Sequence, residues 1–404
     1  MDISFVSLLC MAFSSLLLLM IQSKTEAGMV VKLLHSNSFN NDVTHDAVSP
    51  VMSRRRRSIS YYATISIGDP PVPHLLQIDT TSALLWLQCR PCSHCYRQRY
   101  PIFDPEISYT YKNQPCEPSY TYPILVPDEK TISCTYTDEY GSSGTLATET
   151  LTFQTTYGDV VSTLDDVVFG CGHDNYGNLA NGLSGILGLS HNNLSIIHRF
   201  GSRFSYCFGN ASDSSYTDSI LALGEDEAVI MGDKTPLEIF RGLYYVTLEG
   251  ISIGEIMLAI EPSVFQRKID GRHGTLIDTG STLVYLFREA YEPVGKEIRN
   301  VLEKKFMKTR LHSRRLMCYH GNIRRDLTGF PVLTFHFSGG AELSMDKESL
   351  FFMNGPDTFC LSIALAKNML DANIIGAVAQ QFYNVGYDLQ ALVVSFHKID
   401  CSVL

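Results

Sequence analysis

Charge is scarce in this sequence of 404 residues, and positive charge is the scarcer kind: 18% of residues are charged, with 32 Lys and Arg against 42 Asp and Glu. A formal net charge of -10 leaves no basic field over the whole surface, which argues against nucleic acid as a partner. The low charged fraction, beside 45% hydrophobic residues, excludes a disordered chain and a coiled coil of long polar helices. Long apolar runs are also scarce. The one at residues 5–21, with Leu16-Leu17-Leu18-Leu19, gives way to Thr25-Glu26-Ala27 and reads as a signal peptide over residues 1–27. Its rival is an uncleaved anchor, because Asp2 stands where a positive charge is usual, but the run is at the lower limit for spanning a bilayer. No later segment is long and apolar enough to span, so a chain without stable membrane insertion is expected after cleavage.

What is present points to a large β protein of the secretory route. A chain of this length exceeds one hydrophobic core, so two lobes are expected. Setting Cys10 aside with the signal leaves an even set of ten: Cys89, Cys92, Cys95, Cys116, Cys134, Cys171, Cys207, Cys318, Cys360 and Cys401. An even set fits disulfides in an oxidising compartment, outside the cell or in a vacuole. The cluster of Cys89, Cys92 and Cys95 with His94 has zinc as a rival reading, but a fourth ligand at comparable spacing is missing. No metal or other cofactor is expected. Asn193-Leu194-Ser195 and Asn210-Ala211-Ser212 are glycosylation acceptors, so Asn193 and Asn210 are candidate sites.

A polar stretch over residues 28–57 ends in Arg54-Arg55-Arg56-Arg57 and reads as a short prosegment. The arginines serve as a processing site, as partners for acidic groups, or only as a solvated run. From Tyr61 onward, short β-branched runs alternate with Gly, Pro, Asn and Asp, as in Tyr62-Ala63-Thr64-Ile65-Ser66-Ile67 and Leu333-Thr334-Phe335-His336-Phe337. Residues 392–396 read as another strand, and only residues 288–308 carry a clear helical period. The class is mostly β, with an N-terminal lobe over residues 58–235 and a C-terminal lobe over residues 236–404.

The decisive feature is a repeat. Ile78-Asp79-Thr80-Thr81-Ser82-Ala83-Leu84 returns about 200 residues later as Ile277-Asp278-Thr279-Gly280-Ser281-Thr282-Leu283. Each copy has an apolar-apolar-Gly element downstream, Ile186-Leu187-Gly188 and Ile374-Ile375-Gly376. One Asp-Thr dipeptide is by itself a turn or a helix cap. Two copies in one hydrophobic frame read as a catalytic pair facing across a pseudo-twofold axis. Like charges so close cannot both ionise, so the pair holds one proton and works at acid pH. The ionised member, Asp79 or Asp278, then acts as base toward a water while the protonated one donates to the carbonyl under attack. Thr80 and Thr279 would lock the turns, Gly280 would admit close approach, and Ser82 and Ser281 would donate to the carboxylates.

From Tyr61 to Cys401 the chain resembles the nepenthesin-type plant pepsin-like aspartic proteases. The resemblance is carried by Ile67-Gly68-Asp69-Pro70-Pro71, Trp86-Leu87-Gln88-Cys89-Arg90-Pro91-Cys92-Ser93-His94-Cys95, Phe169-Gly170-Cys171-Gly172, Phe204-Ser205-Tyr206-Cys207 and Tyr387-Asp388-Leu389. It implies a bilobal pepsin-like fold with a cleft between two pseudo-twofold-related lobes, an extended polypeptide substrate, a monomer, and a hairpin flap bearing Tyr140. It also implies disulfides joining Cys89 to Cys92, Cys95 to Cys171, Cys116 to Cys134, Cys207 to Cys401 and Cys318 to Cys360.

Two departures stand out against that family. Thr81 occupies a position where the family has Gly, adding a β-branched side chain at a crowded place. The flap segment Tyr140-Gly141-Ser142-Ser143-Gly144-Thr145 is short, which reduces enclosure of substrate. An acid endopeptidase, weakened or altered in specificity, is the first expectation. A catalytically inactive, secreted peptide-binding or inhibitor-like homologue is the alternative, and a storage or structural protein is the third.

Overall fold

The computed structural model describes residues 28–35, 59–117, 125–127, 134–138, 141–154, 161–176, 179, 182–213, 215–269, 271–309, 316–366 and 372–404. The expected signal peptide, the four arginines and Tyr140 lie outside the described residues.

Alternation builds the first strands. In β1 (Met29–His35) residues 29, 31, 33 and 35 are buried while those between them turn outward, the period of two that a half-buried strand requires. The strands β2 (Tyr61–Ile67) and β3 (Val72–Asp79) form a hairpin with Ile67 opposite Val72, and β3 delivers Asp79 at its end. Past it comes β4 (Trp86–Gln88), buried at all three positions. A long antiparallel pair follows, β5 (Ser142–Gln154) with β6 (Val161–Asn175). Then β7 (Gly185–Gly188) runs parallel to β3, with Gly188 beside Asp79, and antiparallel to β4, with Ile186 opposite Trp86. Two further strands, β8 (Arg203–Phe208) and β9 (Ser219–Leu223), close this half.

The second half opens with β10 (Asp233–Phe240), β11 (Leu243–Val246) and β12 (Leu248–Ile253). It then repeats the arrangement around the first Asp. The short strand β13 (Thr275–Ile277) delivers Asp278, and β14 (Val284–Leu286) follows as β4 follows Asp79. Helix α1 (Arg288–Leu302) and β15 (Leu333–Phe337) come next, and β16 (Asn373–Ile375) runs parallel to β13 with Ile375 beside Ile277. Ile374 lies opposite Tyr285 of β14.

The two glycines of the repeat have the same steric reason. A Cβ at Gly188 would lie 2.7 Å from the Ser82 carbonyl oxygen, and one at Gly376 would lie 2.7 Å from the Ser281 carbonyl oxygen. Both positions therefore exclude a side chain, because backbone atoms cannot yield.

The halves are joined by one antiparallel sheet in the order β1, β9, β8, β17 (Tyr383–Asp388), β18 (Val393–Lys398), β10. Its middle pair, β8 and β17, contributes one strand from each half. Phe204 stacks on Tyr387 with ring centroids 4.3 Å apart, and Tyr206 and Phe208 stack at 4.5 Å. The stretch expected as prosegment thus supplies a strand, β1, to the sheet that unites the molecule, and β1 pairs with β9 on one side and with β2 on the other.

Three expectations need adjustment. The helix stops at Leu302 rather than 308, because the chain tightens there, with Lys305 N–H donating to the Leu302 carbonyl at 2.9 Å. That turn brings Phe306 edge-on to Phe359, 5.4 Å between centroids. Leu392 lies outside the last strand, in the left-handed region at φ 53°, so the strand begins at Val393. The disulfide pairing around the first cluster also differs from the resemblance: Cys89 joins Cys171, and Cys92 joins Cys95. Leu87 of β4 pairs with Cys171 of β6, so the chain leaving β4 brings Cys89 within 5.2 Å of Cys171, Cα to Cα. Cys92 and Cys95 close on each other across their own turn. The remaining bridges join Cys116 to Cys134, Cys207 to Cys401, and Cys318 to Cys360.

Candidate active site

The two Asp loops meet where β3 and β13 end, and they are interlocked. Thr80 N–H donates to Thr279 Oγ1 at 3.0 Å, and Thr279 N–H donates to Thr80 Oγ1 at 3.1 Å. Each hydroxyl in turn donates across to the other loop, Thr80 Oγ1 to the Ile277 carbonyl at 3.2 Å and Thr279 Oγ1 to the Ile78 carbonyl at 3.1 Å. Threonine suits this role because one hydroxyl accepts and donates at once. Gln77 Nε2 adds a further cross-link to the Gly280 carbonyl at 3.1 Å.

This lock holds Asp79 and Asp278 buried, at 0% and 2% exposure. Gly280 lies directly against Asp79: a Cβ there would be 2.4 Å from Asp79 Oδ2. Burial pushes the Asp278 carboxyl well above the ordinary carboxylate range, and the charge of Asp79 pushes in the same direction. Bonds from the Ser281 side chain and from the Gly280 and Ser281 backbone oppose that rise. The Gly280 N–H donates to Asp278 Oδ1 at 2.8 Å.

The first loop is bonded differently. Asp79 Oδ1 accepts from Thr81 N–H at 2.8 Å, from Thr81 Oγ1 at 2.7 Å and from Ser82 N–H at 3.3 Å. Ser82 Oγ, expected as a donor, is buried without a hydrogen-bond partner among the described residues, as is Asp79 Oδ2. The Thr81 hydroxyl reaches Oδ1 from two residues away and takes the bond.

Several supporting residues escaped the sequence. Gln380 Nε2 donates to the Ile375 carbonyl at 2.9 Å, while its Oε1 accepts from Tyr206 Oη, which lies 3.1 Å from Tyr387 Oη. Burial pushes both phenols up, and the Asp278 charge contributes to each. Only spacing after Gly376 could have signalled Gln380, and a glutamine has many other uses. The hairpin expected as the flap narrows to Thr137 opposite Ser143, with Asp138 N–H bonded to the Ser142 carbonyl at 2.7 Å. All three sulfurs of the first cysteine cluster are committed to disulfides, and His94 Nδ1 lies 2.8 Å from Asp174 Oδ1, which disposes of the zinc reading there. Asn193 is exposed, and Asn210 Oδ1 accepts from Ser212 N–H at 2.9 Å.

Residues 61–225 match the family model described as xylanase inhibitor N-terminal, and residues 243–398 the one described as xylanase inhibitor C-terminal. The chain is 30% identical to aspartic proteinase nepenthesin-2 of Nepenthes gracilis, over 94% of this chain and 92% of the relative. It is 34% identical to aspartyl protease UND of Arabidopsis thaliana, over 92% and 93% respectively. Among solved structures, that of edgp superposes with TM-score 0.70 at 17% identity, covering 94% of this chain and 97% of that one. Basic 7S globulin from soybean gives TM-score 0.67 at 17% identity, covering 93% and 98%. At such identity these two likenesses speak for the fold alone.

Proposed function

The chain belongs to the nepenthesin-type plant family of pepsin-like aspartic proteases, and from that premise we propose that it is an aspartic endopeptidase cleaving extended polypeptides at acid pH. The observation that carries the reading is the buried pair Asp79 and Asp278, held by four reciprocal threonine bonds, with Asp278 pushed up beside Asp79. Such a pair keeps one proton between two carboxyls. One member retains it; the other, ionised, is the base that draws a proton from water as the water attacks the scissile carbonyl. The protonated member then donates to the carbonyl oxygen, and no cofactor enters. Five disulfides support passage through the secretory route, to the cell exterior or a vacuole.

A second reading, a peptide-binding homologue without turnover, is favoured by one observation: Thr81 occupies the first loop with two bonds to Asp79. The experiment that separates the two is digestion of an unfolded protein by the purified, acid-treated chain, from about pH 2.5 to 6, with pepstatin and an Asp278→Asn control. Pepstatin-sensitive cleavage that the substitution abolishes supports the protease. Binding of pepstatin without cleavage at any pH supports the homologue.

A further inference from the structure

The two loops are copies in sequence but bond their aspartates differently. In the second, the Gly280 N–H donates to Asp278 Oδ1 at 2.8 Å, and position 280 is a glycine with no room for a Cβ. In the first, Ser82 stands at the position of Ser281, yet its Oγ is buried and unbonded among the described residues. The donor to Asp79 is instead Thr81 Oγ1 at 2.7 Å, one residue earlier, from a half-buried side chain. We propose that Thr81 is the positioning residue of the first aspartate, its hydroxyl supplying the side-chain donor to Asp79 that Ser82 does not supply.

Two features make this workable. The threonine side chain turns back on its own loop's carboxylate, so the added atoms are spent on a bond. The bonded oxygen is Oδ1, whereas Oδ2 is buried with no hydrogen-bond partner among the described residues; a Cβ at Gly280 would lie 2.4 Å from Oδ2 and 2.7 Å from Oδ1. Thr81 thereby fixes the orientation of Asp79 through two donors, its N–H and its hydroxyl, and leaves Oδ2 without a hydrogen bond among the described residues. Hydrogen bonds to a carboxylate are strong enough to hold one rotamer. The groups facing the pair are Asp278 across the axis and the Tyr206 and Tyr387 phenols on the side of Asp278. The departure from glycine then re-equips the loop and does not by itself disable it.

The inference rests on the protease reading, and its test keeps the two apart. The pH profile of kcat/KM on an unfolded-protein substrate is compared for wild type, T81V, T81S and S82A, with carbon-13 titration of the aspartate carboxyls in the same four proteins. T81V, close in shape but without the hydroxyl, is expected to lower kcat/KM about tenfold and to move the acid limb, which belongs to the pair. T81S is expected to recover to within about threefold of wild type, and S82A to have a smaller effect than T81V. An S82A effect as large as that of T81V, or a T81S no better than T81V, overturns the assignment. If wild type itself cleaves nothing at any pH, the protease reading falls and the carboxyl titration decides alone. An Asp79 signal displaced in T81V and restored in T81S then upholds the assignment, and one that stays put in T81V overturns it.

Discussion

The loop bearing Asp79 and the loop bearing Asp278 have the same frame and different chemistry. Both leave a buried strand, both are braced by a parallel strand with a glycine at or just past its end, and both surrender their threonine to the reciprocal lock. At the next position they diverge, Thr81 against Gly280, and Ser82, next to Thr81, leaves its Oγ buried without a partner among the described residues. Five residues before each aspartate stands a histidine, and these differ as well. His74 is fully buried against the Phe103 ring with neither nitrogen bonded among the described residues, while His273 is half-buried beside Phe287. A duplicated frame tolerates such divergence because the bonds that fix its shape run through backbone and threonine. The residues that set its chemistry sit on top of that frame.

The largest effect should come from breaking the pair. Asp278→Asn is expected to reduce cleavage by about a thousandfold or more, read from initial rates at the acid optimum. The same variant should be more stable than wild type toward neutral pH. A carboxyl whose folded value is raised loses stability as pH rises through it, and asparagine carries no such burden. Urea unfolding at two pH values checks this second arm, and equal midpoints for variant and wild type at the higher pH would contradict it.

Next in size is the histidine difference. Burial holds His74 down, to about 4, so the folded state resists its protonation. With an unfolded value near 6.5, stability is complete above that value, declines as pH falls toward about 4, and then levels off; the total is roughly 3 kcal/mol. His74→Leu should flatten this decline in a melting series from about pH 7 to 4, whereas His273→Leu should leave it in place.

The glycine asymmetry comes third. Gly280→Thr transplants the first loop's residue into the second, where a Cβ would lie 2.4 Å from Asp79 Oδ2. A loss of about a hundredfold in kcat/KM is expected, larger than that of any substitution at Thr81. A Gly280→Thr enzyme as active as wild type would mean that the second loop is as adaptable as the first.

The smallest effect tests what the loops share. Thr80→Ala and Thr279→Ala each remove the hydroxyl from two bonds of the lock, and each should cost about 2 kcal/mol of unfolding free energy. The two values should agree closely, because the lock is reciprocal. Values that differ widely would show that one half carries the junction.

Much of this was legible because it is local. Alternation gave the strands, and the repeated Ile-Asp-Thr with its apolar-apolar-Gly partners gave the duplicated site, since each glycine answers a backbone contact that recurs in both halves. Less legible was anything depending on where separate segments meet. The cysteine cluster offered several pairings, and only the register of Leu87 against Cys171 selects Cys89 for the inter-strand bridge. The polar stretch before residue 58 gave no sign that Met29–His35 would join the sheet that unites the halves, paired to β9 and β2, because a seven-residue alternating run can pair with any free edge.

The sequence by itself determined a duplicated, mostly β chain with two aspartates in equivalent frames, because strand period, glycine placement and repeated motif are properties of short segments. Tertiary structure alone decided which hydroxyl serves Asp79. Thr81 and Ser82 are adjacent donors of similar reach, and the choice between them depends on side-chain directions set by the interlocked loops. The same holds for Asp278, whose raised affinity for a proton comes from burial and from a neighbour 199 residues away in the chain, proximity that only the joined halves create.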